Sequence, residues 1–157
     1  MQLHHGTLYW PATTTPFVAE KINEPRSHYD VVIIGAGMSG ALTAHYLMQQ
    51  GLTVAVLDKR NAGEGSTSAN TGLLQYSNDI MLSELIEQIG ERDAVTFYRL
   101  CYEAMQDLAK VAAPLACDFI QRDSIYYASS AEDEPRLRAN FEALTKHGFP
   151  GELPTTY

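Results

Sequence analysis

The sequence predicts an α/β fold that opens with a strand–helix–strand unit, and three observations support this prediction. The continuous β-branched run Val31–Ile34 is typical of a strand buried on both faces of a parallel sheet. Glycines follow it directly, and apolar residues then recur at helical spacing up to Gly51. A second short apolar run over residues 53–57 ends at Asp58. Parallel strands joined in this way have a right-handed crossover in about 98% of cases.

The N-terminal segment, residues 1–28, is predicted to be an extended arm rather than a helix. Pro11, Pro16 and Pro25, together with the threonine run at residues 13–15, oppose helix formation. The apolar residues 8–10 would anchor this arm to the rest of the fold.

A long loop and two helices are predicted after the second strand. Residues 60–78 are rich in Gly, Ser, Thr and Asn and show little periodicity, and a loop of this length indicates a functional segment. Asp79 is predicted to cap a helix that stops at Gly90. Apolar residues at every third or fourth position predict a second helix that continues until Pro114.

The last third of the chain predicts two short strands and one further helix. Residues 119–128 place Ile and Tyr on both sides of a polar stretch, a pattern typical of strands that meet at a turn. Ser130 and Asp133 resemble a capping box for a helix that ends before Gly148.

Composition and charge narrow the classes of partner. Lys and Arg total 11 against 19 Asp and Glu, and the resulting formal charge of -8 repels nucleic acid and anionic lipid. Cys101 and Cys117 have apolar neighbours and are widely spaced, so we expect buried thiols in a reducing cytoplasm. No signal peptide or membrane-spanning stretch is visible, which predicts a cytoplasmic protein.

The glycine pattern at residues 35–40 predicts a nucleotide-binding turn. Gly35-Ala36-Gly37-Met38-Ser39-Gly40 matches G-x-G-x-x-G between a strand and a helix. Gly35 would permit the tight turn, Gly37 the approach of a pyrophosphate, and Gly40 the close packing of helix on strand. The backbone amides at the helix N-terminus, from Met38 and Ser39 onwards, would face the phosphates. The alternative is a strand–helix turn that binds nothing.

An acidic residue at the tip of the second strand agrees with this interpretation. Asp58 would accept hydrogen bonds from the adenosine ribose and repel a 2′-phosphate, which favours FAD or NAD over NADP. Lys59 and Arg60 would lie over the adenine or near a phosphate, or else carry solvated charge. The alternative for Asp58 is an ordinary surface carboxylate.

The composition of the loop at residues 63–72 favours FAD over NAD as the cofactor. An NAD-dependent enzyme usually continues directly into another strand–helix pair, whereas this chain has hydroxyls, amides and glycines here, among them Ser66, Thr67 and Ser68. Such groups can line the pyrophosphate and ribityl chain of FAD. The alternative is a flexible, solvent-exposed loop.

Residues 29–40, the strand end 54–60 and the segment 65–72 together resemble FAD-dependent oxidoreductases of the D-amino acid oxidase, glycine oxidase and sarcosine oxidase superfamily. The resemblance implies a Rossmann-like FAD-binding unit with additional helices. It divides the chain into the arm, an FAD-binding part at residues 29–118, and the start of a substrate-domain sheet at residues 119–157. Asp58 stands where these flavoproteins more often carry Glu.

The resemblance also implies residue roles and a reaction. Gly35, Gly37, Gly40 and Asp58 would hold the ADP half of FAD, and residues 66–68 would approach the pyrophosphate or the flavin. The family reaction transfers a hydride from the carbon beside an amine to the flavin. Because family members are considerably longer, the chain is expected to be a truncated product or a fragment.

Two further functions remain open at this stage, and the catalytic residues are unknown. One alternative is an NAD-dependent dehydrogenase, and the other is a non-catalytic nucleotide-binding module that cannot retain flavin. His4 and His5 adjoin each other without a carboxylate at ligand spacing, so no metal site is predicted.

Overall fold

The computed structural model describes residues 5–15 and 24–153 of the chain. Two compact units are present, Met1–Leu73 and Leu74–Tyr157, and each is described separately. In chain order the elements are α1 (Tyr9–Thr13), β1 (Val31–Ile34), α2 (Met38–Gln49), β2 (Val54–Leu57), a 3-10 turn (Gly65–Ala69), α3 (Leu82–Ile89), α4 (Glu91–Ala112) and α5 (Glu134–Lys146).

The first unit is built on the predicted strand–helix–strand order, which is confirmed. The prediction that β1 is buried on both faces is wrong, because Val32 is 54% and Ile34 89% exposed in a sheet that no described segment covers on that side. Strands β1 and β2 pair in parallel, with Val31 opposite Val54 and Ile34 opposite Leu57. Helix α2 connects them and buries Ala44, while Ala55 is buried in β2. The order of elements is that of an α/β fold, and it brings the carboxyl ends of both strands to the same edge of the sheet.

A side-chain clamp fixes the other end of the two strands. Asp30 Oδ2 accepts hydrogen bonds from the Thr53 amide at 2.7 Å and the Thr53 hydroxyl at 2.6 Å. These bonds lower the pKa of the Asp30 carboxyl below its ordinary value. The clamp lies one residue before each strand and therefore helps to set their register.

The prediction of an arm without a helix is wrong at residues 9–13, which form α1. Pro11 lies in the first turn of this helix, where a backbone N–H has no intrahelical acceptor, so its missing donor costs nothing. The hydroxyls of Thr13 and Thr14 donate to the Tyr9 and Trp10 carbonyls and stabilise the last turn. Pro16 lies outside the described residues.

The core of the second unit lies where α3, α4 and the segment after α5 meet. Five apolar side chains are buried there, namely Leu82, Leu85, Ala94, Tyr98 and Phe149. The Tyr98 hydroxyl donates to the Ile80 carbonyl at 2.6 Å, and burial raises the pKa of Tyr98 to about 12. The Tyr76 ring stacks on Phe149 at a centroid distance of 5.8 Å, and its hydroxyl donates to the Pro150 carbonyl.

The predicted helices of this unit are confirmed, although two of their starts differ. Gly90 adopts φ +88° and ends α3 as predicted. Helix α3 begins at Leu82, because Met81, and not Asp79, is the N-cap residue and still has an extended backbone. Asp133 Oδ2 accepts from the Ser130 amide as in a capping box, yet α5 itself begins at Glu134.

The two strands predicted in residues 119–128 are absent, which corrects the expected start of a second sheet. These residues have no regular secondary structure, and Ile125 and Tyr127 are 83% and 78% exposed. A strand exists only where a neighbour accepts and donates its backbone hydrogen bonds, and no described segment pairs with this one. Residues 119–128 therefore have the composition of strands, but no described segment pairs with them.

The cysteines agree with the prediction only in part. Both are free thiols, but Cys117 is exposed rather than buried because α4 ends at Ala112 and the chain after it follows the surface. Cys101 is half-buried. Among the helices of the described residues, none is both long and apolar enough to cross a bilayer.

Candidate nucleotide-binding site

The glycine turn joins β1 to α2 at the carboxyl edge of the sheet. Gly35 adopts φ +110°, which L side chains rarely accept, and its amide donates to the Leu57 carbonyl at 2.7 Å. A Cβ on residue 40 would overlap the Gly35 carbonyl oxygen and lie 3.4 Å from the Ile33 side chain. Two of the three glycines are therefore required by the backbone path itself.

The middle glycine is required by a neighbouring loop. A Cβ on Gly37 would lie 2.9 Å from the Thr67 hydroxyl oxygen. That same oxygen accepts a hydrogen bond from the Met38 amide at 3.1 Å. The loop predicted to line a cofactor is thus in direct contact with the first turn of α2.

Free hydrogen-bond donors are concentrated at the start of α2. The amides of Ser39 and Gly40 have no acceptor among the described residues, as expected for the first turn of a helix. The Met38 amide was expected to be free as well, but Thr67 occupies it. Free amides and the positive end of the helix dipole attract an anion here.

A cavity of about 390 Å³ opens over this helix terminus, within the range of small-molecule sites. Seven of the nine residues that line it are predicted site residues. The lining consists of Ile34, Gly35, Gly37, Met38, Ser39 and Gly40 from the turn, and Ser66, Thr67 and Asn70 from the loop.

Asp58 faces the glycine turn as predicted. Its Oδ2 accepts the Ala36 amide at 2.7 Å, and its Oδ1 accepts the Arg60 amide at 2.8 Å. These bonds, followed by the nearby Arg60 and Lys59 charges, lower the pKa of Asp58 below its ordinary value. Each carboxylate oxygen can accept more than one hydrogen bond, so the exposed side chain keeps acceptor capacity toward solvent.

Not every predicted site residue reaches the cavity. Lys59 and Arg60 are exposed, and the Arg60 guanidinium lies against Gly65. The Ser68 hydroxyl turns back to donate to the Gly65 carbonyl at 2.7 Å, whereas its neighbour Ser66 lines the cavity. A 3-10 turn separates adjacent side chains in this way, so consecutive hydroxyls do not share one face.

Asn70 belongs to the site but was not among the predicted site residues. Its side-chain amide donates to the Thr67 carbonyl at 2.5 Å, and its Oδ1 accepts the Gly72 amide at 2.7 Å. The sequence signal was present, because an Asn two residues before a glycine favours this kind of local turn. Its importance depends on the contact with Thr67, which spacing alone does not show.

The residues present fit a diphosphate group. The backbone is bare where Gly37 approaches the loop, since any side chain there would meet Thr67. Two amides at the helix start have no acceptor among the described residues, and Ser66 and Thr67 line the same cavity. Backbone amides and hydroxyls facing one concave surface are the donors that phosphate oxygens require.

A family model described as FAD dependent oxidoreductase (DAO) matches residues 30–156, which is most of the chain. It includes both strands, the glycine turn, the loop and the second unit. No solved structure matches the chain.

Curated relatives match over unequal lengths. The chain is 26% identical to a Bacillus subtilis protein named Rieske 2Fe-2S iron-sulfur protein YhfW, over 92% of the chain and 29% of that protein. It is 44% identical to sarcosine oxidase subunit beta of Rhizobium meliloti over 33% of the chain and 13% of the relative. It is 34% identical to D-amino acid dehydrogenase of Paramagnetospirillum magneticum over 44% of the chain and 18% of that protein. The chain spans less than a third of each of these relatives.

Proposed function

The chain belongs to the FAD-dependent oxidoreductase family, and from this premise we propose that its first unit binds the ADP half of FAD in an enzyme that oxidises an amine or amino acid. The observation that supports the proposal most directly is the start of α2. There Ser39 and Gly40, whose amides are free, line a cavity together with Gly37, where a Cβ would lie 2.9 Å from the Thr67 hydroxyl oxygen.

Each predicted residue takes a role that its contacts allow. Gly35, Gly37 and Gly40 keep the backbone close to the diphosphate, and the Ser39 and Gly40 amides with the Ser66 hydroxyl donate to its oxygens. The Met38 amide instead holds the loop through Thr67. Asp58 accepts from the ribose hydroxyls with the acceptor capacity that Ala36 and Arg60 leave.

Lys59, Arg60 and Ser68 have weaker roles in this proposal. The two cations add positive potential near the phosphates from exposed positions, where screening by salt reduces their effect. The Ser68 hydroxyl donates to the Gly65 carbonyl within the 3-10 turn itself and is assigned no contact with the cofactor.

The proposed chemistry is amine or amino-acid oxidation. FAD, when bound, supplies an acceptor for the hydride that leaves the carbon beside the nitrogen. Two relatives named for sarcosine and D-amino acids support this class of substrate, since their names describe oxidation next to an amine. The task of the described residues is to hold the nucleotide half of the cofactor in a fixed position.

Titration with FAD and with NAD tests the proposal. FAD is expected to raise the melting temperature and to acquire a protein-bound visible spectrum, since a ligand at 100 times its Kd stabilises by about 2.7 kcal/mol. Gly37→Val places a branched side chain against Thr67 and is expected to abolish the effect. Stabilisation by NAD alone would instead support an NAD-dependent dehydrogenase. If neither cofactor stabilises the chain, the proposal fails.

A second proposal concerns the electron acceptor, and the Bacillus subtilis relative favours it. That protein, aligned along 92% of the chain, is named for a Rieske iron–sulfur centre. We infer that an iron–sulfur protein, rather than oxygen, accepts the electrons from amine oxidation. With an amine substrate, we expect the enzyme to reduce ferricyanide rapidly and to consume little oxygen. Oxygen consumption faster than ferricyanide reduction would contradict the inference.

A further inference from the structure

We propose that Trp10, in the N-terminal arm, is a positioning residue that holds the cofactor loop in its binding conformation. The proposal rests on the proposed function, because the loop in question, residues 65–72, is the one assigned to FAD. Trp10 does not line the cavity itself. Nothing in the sequence pattern links the arm to this loop, from which Trp10 is separated by more than fifty residues.

The first observation is a long-range hydrogen bond. The indole Nε1 of Trp10 donates to the Asn70 carbonyl at 2.8 Å, between residues 60 positions apart. The indole is half-buried, and the Tyr9 ring stands edge-on to it at 5.1 Å. This bond fixes the position of the loop relative to the N-terminal segment, whereas the local hydrogen bonds within the loop fix only its internal shape.

The second observation is the fit of the ring against Gly72. This glycine adopts φ +73°, and a Cβ there would lie 2.6 Å from Cζ2 of Trp10. Only a residue without a side chain leaves room for the indole at this distance. The end of the loop is therefore shaped to receive this ring, in addition to the hydrogen bond at Asn70.

The third observation connects Trp10 to the helix terminus. Asn70, which receives the indole bond, donates from its side chain to the Thr67 carbonyl. Thr67 in turn accepts the Met38 amide at the start of α2. A continuous series of contacts therefore runs from Trp10 through Asn70 and Thr67 to Met38, and the last three residues all line the cavity.

The consequence is that the arm fixes the side of the cavity opposite the glycine turn. Without the indole, Asn70 and Thr67 would lose the support that keeps their polar groups directed at the site. Binding of the cofactor would then have to order the loop, and that cost reduces the affinity. The arm acts on binding without touching the ligand.

Four variants test the proposal. Trp10→Phe keeps an aromatic ring against Gly72 but removes the N–H, and Trp10→Ala removes both. Tyr9→Phe is the control on the same helix, because Tyr9 is 68% exposed. Asp30→Asn is the control for general destabilisation, because it weakens the same unit at the opposite ends of its strands.

Two quantities are measured on the 157-residue chain. Hydrogen exchange of the Thr67–Gly72 amides without ligand reports the order of the loop, and the Kd for FAD reports its effect on binding. We expect faster exchange and a roughly threefold to tenfold higher Kd in Trp10→Phe, as for one lost hydrogen bond. Trp10→Ala should raise the Kd by more than about tenfold, because it loses the ring as well as the hydrogen bond. The smaller effect of Trp10→Phe would then show what the aromatic ring contributes. Both controls should stay within about twofold.

The outcomes separate this proposal from the proposed function. A wild-type chain that does not bind FAD overturns the proposed function. If the wild type binds FAD and Trp10→Phe changes neither quantity, or only one of them, the role of Trp10 is overturned and the proposed function stands. An equal loss of affinity in Asp30→Asn also overturns it, because any loss of stability would then have the same effect.

Discussion

Replacing Gly40 by alanine tests the close approach of α2 to β1 most directly. The new Cβ would overlap the Gly35 carbonyl oxygen and lie 3.1 Å from its carbon. Both are backbone atoms of the glycine turn, so no side-chain rotation relieves the contact. The helix must move away from the strand, or the turn must change its path.

The size of the effect follows from two opposed contributions. Alanine is favoured over glycine within a helix by about 1 kcal/mol. Overpacking in a well-packed region costs about 1–3 kcal/mol, and a contact between backbone atoms belongs to the upper part of that range. The expected net loss is about 1–2 kcal/mol. For a unit of this size that corresponds to a drop in melting temperature of roughly 4–16 °C.

Fluorescence of the single tryptophan provides the assay. The chain has one Trp, Trp10, and it lies in the first unit, so its emission follows the unfolding of that unit. A melting temperature of Gly40→Ala equal to or above that of the wild type would refute the reasoning.

Three further predictions concern single side chains. Ser66→Ala should raise the Kd for FAD roughly threefold to tenfold, while Ser68→Ala should leave it within about twofold, as measured by equilibrium titration. The folded pKa of Asp58 is lowered, so its contribution to stability is complete above the ordinary aspartate pKa and is lost as the pH falls through the folded value. Melting curves from about pH 5 to pH 2 should therefore fall less steeply for Asp58→Asn than for the wild type. Tyr98→Phe leaves the Ile80 carbonyl without its donor and should cost about 1–3 kcal/mol in denaturant unfolding, and an unchanged midpoint would contradict this.

Local signals in the sequence predicted most of the first unit and the helices of the second. The β-branched run at residues 31–34 and the apolar run ending at Asp58 are strands in the structure, because β-branched and apolar residues favour the extended backbone of a strand. Gly90 ends a helix because the left-handed conformation strongly prefers glycine. In these cases the residue type and its near neighbours determine the structure.

The predictions that failed depend on contacts between distant residues. Residues 119–128 have the composition of strands, but a strand also requires a partner whose position the sequence pattern does not give. In the candidate site, the sequence indicated three consecutive hydroxyls, and the 3-10 turn directs Ser66 and Ser68 differently. The place of Asn70 depends on Trp10 and Thr67, which are brought to it only by the fold.

The stacking of Tyr76 on Phe149 has a consequence for how the second unit is connected. Tyr76 precedes α3 and its hydroxyl donates to the Pro150 carbonyl, in the segment that follows α5. These two segments are therefore held against each other by two stacked rings and a hydrogen bond, although they are far apart in sequence. Local unfolding of either segment would uncover the same buried core.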